Sequence, residues 1–343
     1  MSDDDTASLA AFLDEQLGNR QPTVVDAMAG GGSCEVFSVR RGSAHWVLRR
    51  APRYASSSTA HDVLREFRIL DAIKDQHVLI ARPVLACADP HVFGAAFYLM
   101  EHIDGVPIRA SVPAAWANAP DTQGAALEQL IDAIVDVHAI DWQACGLGEM
   151  ARPERYLERQ VQRWQTQLGS YGGRELPVAG KVSAWLDANR PADKPLTLFH
   201  GDYKLDNVLF AKDAPPRLLA IVDWEMAAIG DPLIDLAWAL IFHPSGTMPL
   251  GVRSEPAFAR AELPSENALI ERYSQRAGRD ISDLYWYDVF ARWKLAIVLE
   301  GSYAKFLRGQ SDKPVHEFFG RQADLLLSSA SSLVDSPTKR LDS

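Results

Sequence analysis

The segment HGDYKLDNVLF at residues 200–210 places polar side chains suited to chemistry directly before an apolar run. Asp202, Lys204 and Asn207 lie within it, and Asp223 follows a second apolar run, LLAIV. Carboxylate and amide oxygens are ligands that Mg²⁺ prefers, and the ion keeps waters and substrate phosphates as its other ligands. A further acid can accept a proton from a hydroxyl. Together these groups match the needs of phosphoryl transfer, which are a base, metal ligands and a nearby cation.

The order of these residues resembles the signature of kinase-like enzymes. Protein kinases carry H-R-D-x-x-x-x-N followed by D-F-G, whereas this chain has HGD-x-x-x-x-N followed by D-W-E. The pair resembles the aminoglycoside phosphotransferase (APH) family of small-molecule kinases. Over residues 20–310 the chain is most similar to the kinase-like domain found fused to acyl-CoA dehydrogenases. Two segments carry this closer likeness, LERQVQRWQTQ at 157–167 and WKLAIVLEGSYAKFLRG at 293–309.

The resemblance implies a role for each polar residue of the two motifs. Asp202 is expected to be the catalytic base, and Lys204 to neutralise charge that develops on the transferred group. Asn207 and Asp223 are expected to hold Mg²⁺. Turn residues that cap strands would account for any one of these side chains alone, but not for the ordered set beside apolar strands.

The N-terminal third contains candidates for nucleotide binding. Gly31, Gly32 and Ser33, in the run GGGS, fit a loop whose backbone N–H groups bind the ATP phosphates, although a plain flexible turn has the same composition. Kinases use a strand lysine for the α- and β-phosphates, paired with a helix glutamate. Here VLRR at 47–50 offers Arg49 or Arg50, and the resemblance implies Arg49, with Glu66 as the helix glutamate. Arginine grips phosphate bidentately but is not equivalent to lysine.

The segment YLMEHIDG at 98–105 is expected to connect two lobes and to contact adenine. Met100 is the expected gatekeeping side chain, and Glu101 and His102 are the expected backbone contacts. An ordinary strand that runs into a glycine turn would have the same pattern.

Other residues are expected to support the site. His200 is expected to brace the catalytic loop by hydrogen bonds rather than to transfer a proton, and Asp235 to support the same loop. Among the aromatic residues, Trp164, Trp224 and Trp293 are candidates for the wall of a substrate cleft, because aromatic rings supply large apolar contact areas. Trp224 is the first choice, since it follows Asp223 directly.

These residues need two kinds of element to position them. Short runs rich in Val, Phe and Trp predict strands at 35–41, 44–50, 81–89 and 96–105. Apolar residues at helical spacing predict helices at 7–17, 61–73, 126–141, 155–168, 230–240, 266–278 and 287–307. The predicted fold is therefore α+β and, by resemblance, two-lobed and protein-kinase-like. The N-terminal nucleotide-binding lobe would span 1–103, and the catalytic and substrate-binding lobe 104–343.

Composition excludes several classes of function. The formal net charge of −10 argues against nucleic-acid binding, which needs clustered Lys and Arg. The chain has no apolar run long enough for a membrane span, so no membrane association is expected. Its acidic first residues lack the pattern of a secretory signal. Three separated cysteines predict neither a disulfide framework nor a zinc site, and a cytoplasmic location is expected.

The expected function is transfer of the γ-phosphoryl group of ATP, with Mg²⁺, to a hydroxyl of a small molecule. The closer likeness favours a hydroxy-acyl metabolite as acceptor. An aminoglycoside stays open, because acidic walls would suit a polycation. A catalytically weak nucleotide-binding module also stays open, since Arg49 replaces the usual lysine. A protein kinase is disfavoured, because the chain has no DFG or APE motif.

Overall fold

The computed structural model describes residues 3–28, 34–52, 62–109, 111–244, 258, 263–311 and 313–336. Within them the chain forms a two-lobed α+β fold, with an antiparallel sheet in the N-terminal part and mainly helices in the rest. The described sheet has the strand order β1-β2-β3-β5-β4. Its strands are β1 (Thr23–Ala27), β2 (Glu35–Arg41), β3 (Ala44–Arg50), β4 (Pro83–Cys87) and β5 (Phe97–Glu101). The helices that accompany it are α1 (Asp3–Leu17), α2 (Val63–Ile73) and α3 (Pro90–Phe93).

Strand β3 has two different faces, and this decides which of its arginines reaches the site. Leu48 is fully buried in a core that the sheet shares with α1. Arg50 lies on that same face, with its guanidinium over the rings of Phe37 and Phe93. Because successive strand residues point to opposite faces, Arg49 points the other way, towards α2 and the helical lobe.

The helical lobe is built around long helices and two short strand pairs, β6–β9 and β7–β8. The strands are β6 (Thr197–Phe199), β7 (Val208–Phe210), β8 (Leu218–Ile221) and β9 (Ala228–Gly230). The helices are α4 (Ala114–Ala117), α5 (Gly124–His138), α6 (Tyr156–Ser170), α7 (Pro177–Ala188), α8 (Leu233–Ile241), α9 (Glu266–Ala277), α10 (Leu284–Leu307) and α11 (Val315–Asp335). Helix α8 is buried along its whole length and packs against α10 and α5.

The predicted elements agree well with the observed ones. All four predicted strands and all seven predicted helices have counterparts, shifted by a few residues at their ends. The strand-like apolar runs within TLFHGDYKLDNVLF and RLLAIVDWEMA form β6, β7 and β8, whereas the predictions omitted β1, β9, α3, α4, α7 and α11. The predicted lobe boundary between residues 103 and 104 follows the end of β5. The GGGS run at 30–33 lies outside the described residues.

Two further expectations concern cysteines and membranes. None of the three cysteines forms a disulfide, and two of them, Cys34 and Cys87, are buried. Among the described residues, no helix combines the length and the apolar character needed to cross a bilayer.

Candidate active site

The loop between β6 and β7 carries the HGD motif and is held by Asp235, which lies on α8. The carboxylate of Asp235 accepts hydrogen bonds from the backbone N–H of His200 at 2.5 Å and from that of Gly201 at 2.7 Å. Gly201 has a φ of 86°, and a Cβ at this position would collide with the Met226 carbonyl oxygen. The structure thus confirms that Asp235 supports the loop, and it explains why glycine occupies residue 201.

His200 links the loop to the strand that precedes Asp223. Its side chain is fully buried. Nε2 lies 3.0 Å from the Val222 carbonyl oxygen, and Nδ1 lies 3.3 Å from the Asp202 backbone nitrogen. These contacts fit a neutral ring that donates from Nε2 and accepts at Nδ1. The expected bracing role of His200 is confirmed.

Asp202 is surrounded by donors. Asn207 Nδ2 donates to Oδ2 at 2.8 Å, and Trp238 Nε1 donates to Oδ1 at 2.8 Å. The Lys204 ammonium pairs with Oδ2. Burial pushes the pKa of Asp202 upward, but Lys204 outweighs that effect and holds this pKa below its ordinary value. The carboxylate is therefore ionised at neutral pH, as a base must be.

The β7–β8 hairpin brings the second motif to the first. Val208 pairs with Ile221, and the Val222 backbone N–H donates to the Asn207 carbonyl at 2.9 Å. Asp223 follows with a left-handed backbone, φ 68°. This conformation is rare for a non-glycine residue and marks a functional candidate.

Asn207 and Asp223 fit the needs of a magnesium ion. The Asn207 side-chain amide donates to the Asp202 backbone carbonyl and carboxylate, so its Oδ1 faces away from those bonds. Asp223 uses Oδ1 for Arg49. The described residues contain no cluster of three or more His, Cys, Asp or Glu side chains that could hold a metal alone. Mg²⁺ typically binds through one or two carboxylates plus phosphates and water, which matches this pair.

Arg49, on β3, connects the N-terminal sheet to Asp223. Nε lies 3.1 Å from Glu66 Oε2 on α2, and Nη2 lies 2.9 Å from Asp223 Oδ1. Although burial opposes its charge, Glu66 and Asp223 hold the pKa of Arg49 above its ordinary value. Burial raises the pKa of Glu66 to about 7 against the pull of Arg49. The predicted contact between Arg49 and Glu66 is present, and Asp223 completes the cluster.

Helix α2 also fixes the segment after Asp223. Glu66 Oε1 accepts from the Trp224 backbone N–H at 3.0 Å. Arg65 donates to the carbonyl oxygens of Glu225 and Ala227. Trp224 itself is 1% exposed and packs on His200, with ring centroids 5.1 Å apart. The first choice for a cleft wall was therefore wrong, because the turn at Asp223 directs Trp224 into the core.

The expected adenine-binding segment is part of β5 and the residues after it. The Met100 side chain is buried. The backbone N–H of Glu101 donates to the Arg82 carbonyl at 2.8 Å, and that of His102 donates to the His45 carbonyl at 3.2 Å. These two N–H groups are thus already used within the sheet lobe. The predicted phosphate-loop residues Gly31, Gly32 and Ser33 lie outside the described residues.

A cavity of about 510 Å³ adjoins the loop beside Gly201. We call it the α6 cavity, since α6 supplies much of its wall, including Trp164. Trp293 is fully buried and is not among the lining residues. Lys294, from α10, also lines it. Lys294 and Trp238 were missed in the sequence, where the one signal for Lys294 was a lysine inside the apolar helix ARWKLAIVL.

Comparisons with known proteins agree with this geometry. The sequence model described as "Phosphotransferase enzyme family" (APH) matches residues 25–274. The chain is 30% identical over 319 residues to acyl-CoA dehydrogenase family member 11 of Rattus norvegicus, which covers 90% of this chain. The chain spans 40% of the length of that relative.

Solved structures share the fold. A candidate aminoglycoside phosphotransferase from Ralstonia eutropha JMP134 is 27% identical, with a TM-score of 0.79 and coverage of 95% of this chain and 98% of that one. A thermostable aminoglycoside phosphotransferase mutant, in ternary complex with ADP and hygromycin B, has a TM-score of 0.55 at 16% identity. It covers 96% of this chain and 99% of its own. The predicted two-lobed kinase-like fold is confirmed.

Proposed function

This chain belongs to the phosphotransferase enzyme family (APH) and is a small-molecule kinase, and from that premise we propose that it transfers the γ-phosphoryl group of ATP, with Mg²⁺, to an acceptor hydroxyl. One observation carries the proposal. The β7–β8 hairpin and the loop before it bring Asp202, Asn207 and Asp223 to one corner, next to the buried cation Arg49.

Each residue has a defined task in the proposed reaction. The acceptor oxygen attacks the γ-phosphorus, the bond from phosphorus to the bridging oxygen breaks, and ADP leaves. Asp202 takes the hydroxyl proton, for which its lowered pKa keeps it ionised. Lys204 lies against the same carboxylate, where it can balance charge on the moving group.

Other residues are proposed to hold the nucleotide and its metal ion. Asn207 and Asp223 would hold Mg²⁺, which would neutralise negative charge on the phosphates. Arg49 would contact the α- and β-phosphates, in place of a lysine, while Glu66 keeps its guanidinium in position. Met100, Glu101 and His102 would border adenine. Because the N–H groups of Glu101 and His102 are used internally, the base would rely on other backbone groups of this segment.

The acceptor is proposed to be a hydroxy-acyl metabolite. The matched region of the acyl-CoA dehydrogenase relatives supports this class, although the chain spans only 40% of the first of them. An aminoglycoside is the second candidate, because a structural neighbour binds hygromycin B.

A panel assay tests the reaction. ADP release would be measured with hydroxy acids, their CoA esters, other hydroxylated metabolites and aminoglycosides, with Mg²⁺ and with EDTA. The variant Asp202→Asn should lower turnover on the active acceptor about a thousandfold while ATP still raises the melting temperature. Asp213→Asn, at an exposed acid outside the site, is the matched control.

Two results would overturn the proposal. Near wild-type turnover in Asp202→Asn would remove the base assignment. Stabilisation by ATP without turnover across the whole panel would favour a nucleotide-binding module instead.

A further inference from the structure

The α6 cavity has a cationic wall in an acidic protein. Its lining includes Arg152, Arg159, Arg163 and Lys294, and none of its described lining residues is an Asp or Glu. The whole chain, by contrast, carries a net charge of −10. A cavity with this charge repels cations and concentrates anions.

Lys294 is the most unusual of these cations, because it is buried without a carboxylate partner. It is 6% exposed. Its ammonium donates to the Gly201 carbonyl at 3.2 Å and lies over the rings of Trp238 and Trp164, at 4.2 and 5.5 Å from their centroids. Among the described residues it forms no salt bridge, although the Asp202 and Asp235 carboxylates are near enough to favour its charge. A buried charge is costly unless it is paired, so this one has unused capacity to bind an anion.

Tyr156 supplies an independent observation. It lines the same cavity and is 5% exposed, yet its hydroxyl makes no hydrogen bond with any described residue. Buried hydroxyls without a partner are rare in folded proteins. Burial raises the pKa of this hydroxyl, so it stays protonated. Its oxygen is covered and lies beside Gly230, and it can donate to a bound ligand once the side chain shifts.

The other side chains that line the cavity include aromatic rings, which suit the apolar carbon atoms of a ligand. Trp164, Phe199 and Phe290 line the cavity beside the polar groups. Gly201, which directly precedes Asp202, also lines it. A ligand in this cavity would therefore lie next to the loop that carries the base.

We infer that the α6 cavity binds an anionic group, carboxylate or phosphate, on the phosphoryl acceptor. Lys294 and Tyr156 are the buried donors, and Arg163, which is exposed, attracts the anion at the entrance. The inference rests on the proposed function, since it concerns the acceptor of that reaction. It places a polycationic aminoglycoside at a disadvantage, because that ligand would face four cationic side chains.

Four alcohols of equal chain length provide the test. ω-Hydroxyhexanoate and hydroxyhexyl phosphate carry an anion, hexanediol is neutral, and aminohexanol is cationic. Calorimetry without nucleotide measures their binding, so the result does not depend on turnover. We expect at least one of the two anions to bind about tenfold or more tightly than hexanediol, with aminohexanol weakest. The better anion shows whether the cavity takes carboxylate or phosphate.

Substitutions test which residues cause the preference for the anionic alcohols. Lys294→Met should reduce the preference for the anion to less than about threefold, and Arg163→Gln should reduce it by a smaller factor, since an exposed charge interacts weakly. Arg163 is exposed, so its variant tests the inference even if Lys294→Met folds poorly. Arg68→Gln, at a side chain that is 70% exposed on α2, is the matched control and should keep the full preference.

The outcomes separate this inference from the proposed function. Equal binding of all four alcohols, tighter binding of aminohexanol, or no measurable binding of either anion would overturn the anionic site. A preference that survives both substitutions would overturn the residue assignment. Loss of turnover in Asp202→Asn with unchanged anion binding would support both conclusions, whereas anion binding in a protein without any kinase activity would refute only the proposed function.

Discussion

Arg49 and Lys294 are both buried cations near the catalytic loop, but their surroundings differ. Arg49 has two carboxylates within 3.1 Å, from Glu66 and Asp223. Lys294 has a carbonyl oxygen and two indole faces. The first charge is balanced by the protein itself. The second is contacted directly by dipoles and ring electrons, and the Asp202 and Asp235 carboxylates act on it from beyond salt-bridge distance, so its charge is compensated less completely.

The difference shows which of the two cations is already paired by the protein in the absence of ligands. The Arg49 cluster holds the two lobes together through charges that already match. Lys294 has no carboxylate in direct contact, and an anionic acceptor can supply one. Removing Arg49 should therefore damage the fold, whereas removing Lys294 should mainly damage acceptor binding.

The largest expected effect is on stability, from Arg49→Met. The change leaves Glu66 buried without its cation, and breaking one side of a buried ion pair typically costs about 3–5 kcal/mol. Urea unfolding should show a loss of that size in the free energy of unfolding. Arg68→Met, at an exposed site, should change it by less than about 0.5 kcal/mol. Equal stability of wild type and Arg49→Met would contradict the comparison.

The second effect is a pH dependence that belongs to Lys294. Burial lowers the pKa of Lys294 from its ordinary 10.5 to about 8, although the Asp202 and Asp235 carboxylates oppose the shift and Arg163 and Lys204 add to it. Between pH 8 and 10.5 the unfolded chain therefore binds more protons at this residue than the native chain. The contribution of Lys294 to the free energy of unfolding should therefore rise with pH between 8 and 10.5. That gain should be lost as pH falls through 8.

Unfolding of wild type and Lys294→Met, compared across the same window, isolates this contribution. The difference in unfolding free energy should shift in favour of wild type by about 3 kcal/mol as pH rises to 10.5. A difference that stays flat with pH would mean that Lys294 titrates normally and is not isolated from carboxylates.

The third effect concerns Trp238, which touches both Lys294 and the base. Trp238→Phe keeps a ring near the ammonium but removes the N–H that donates to Asp202 Oδ1. A hydrogen bond to a charged group is typically worth more than a neutral one, so turnover should fall about tenfold. Steady-state kinetics should show this loss in kcat, with the acceptor KM changed by less than about threefold. A rise in KM alone would place Trp238 in acceptor binding instead.

The smallest effect is expected from Tyr156→Phe. The variant loses a buried hydroxyl that has no described partner, so the free energy of unfolding should stay equal or rise by up to about 1 kcal/mol. Affinity for ω-hydroxyhexanoate should fall about fivefold, because one donor is lost. A clear loss of stability would show that the hydroxyl already has a partner in the free protein.

The motifs made the catalytic corner predictable. Asp202, Asn207 and Asp223 have types and spacing that few other sites share. Strand alternation separated Arg49 from Arg50, and the family resemblance then selected Arg49 as the partner of Glu66. Lys294 could not be found in this way. Its role depends on how α10 packs against the catalytic loop and α8, which the period of its own helix does not encode.

Trp224 shows the opposite error. Its position directly after Asp223 suggested a cleft residue, but adjacency in the chain does not fix the direction of a side chain. The left-handed backbone at Asp223 turns the indole inward, where its N–H donates to the Ile221 carbonyl. Local sequence rules describe regular backbone well and describe such single-residue turns poorly.

The glycine of the HGD motif limits which side chains residue 201 can accept. Protein kinases have arginine at the corresponding place of H-R-D, so the two motifs look as if one substitution separates them. In this chain Gly201 combines a positive φ with a backbone that leaves no room for a Cβ beside Met226. In this chain a Gly201→Arg substitution alone would therefore collide with the turn at 224–227, which would have to be rebuilt at the same time.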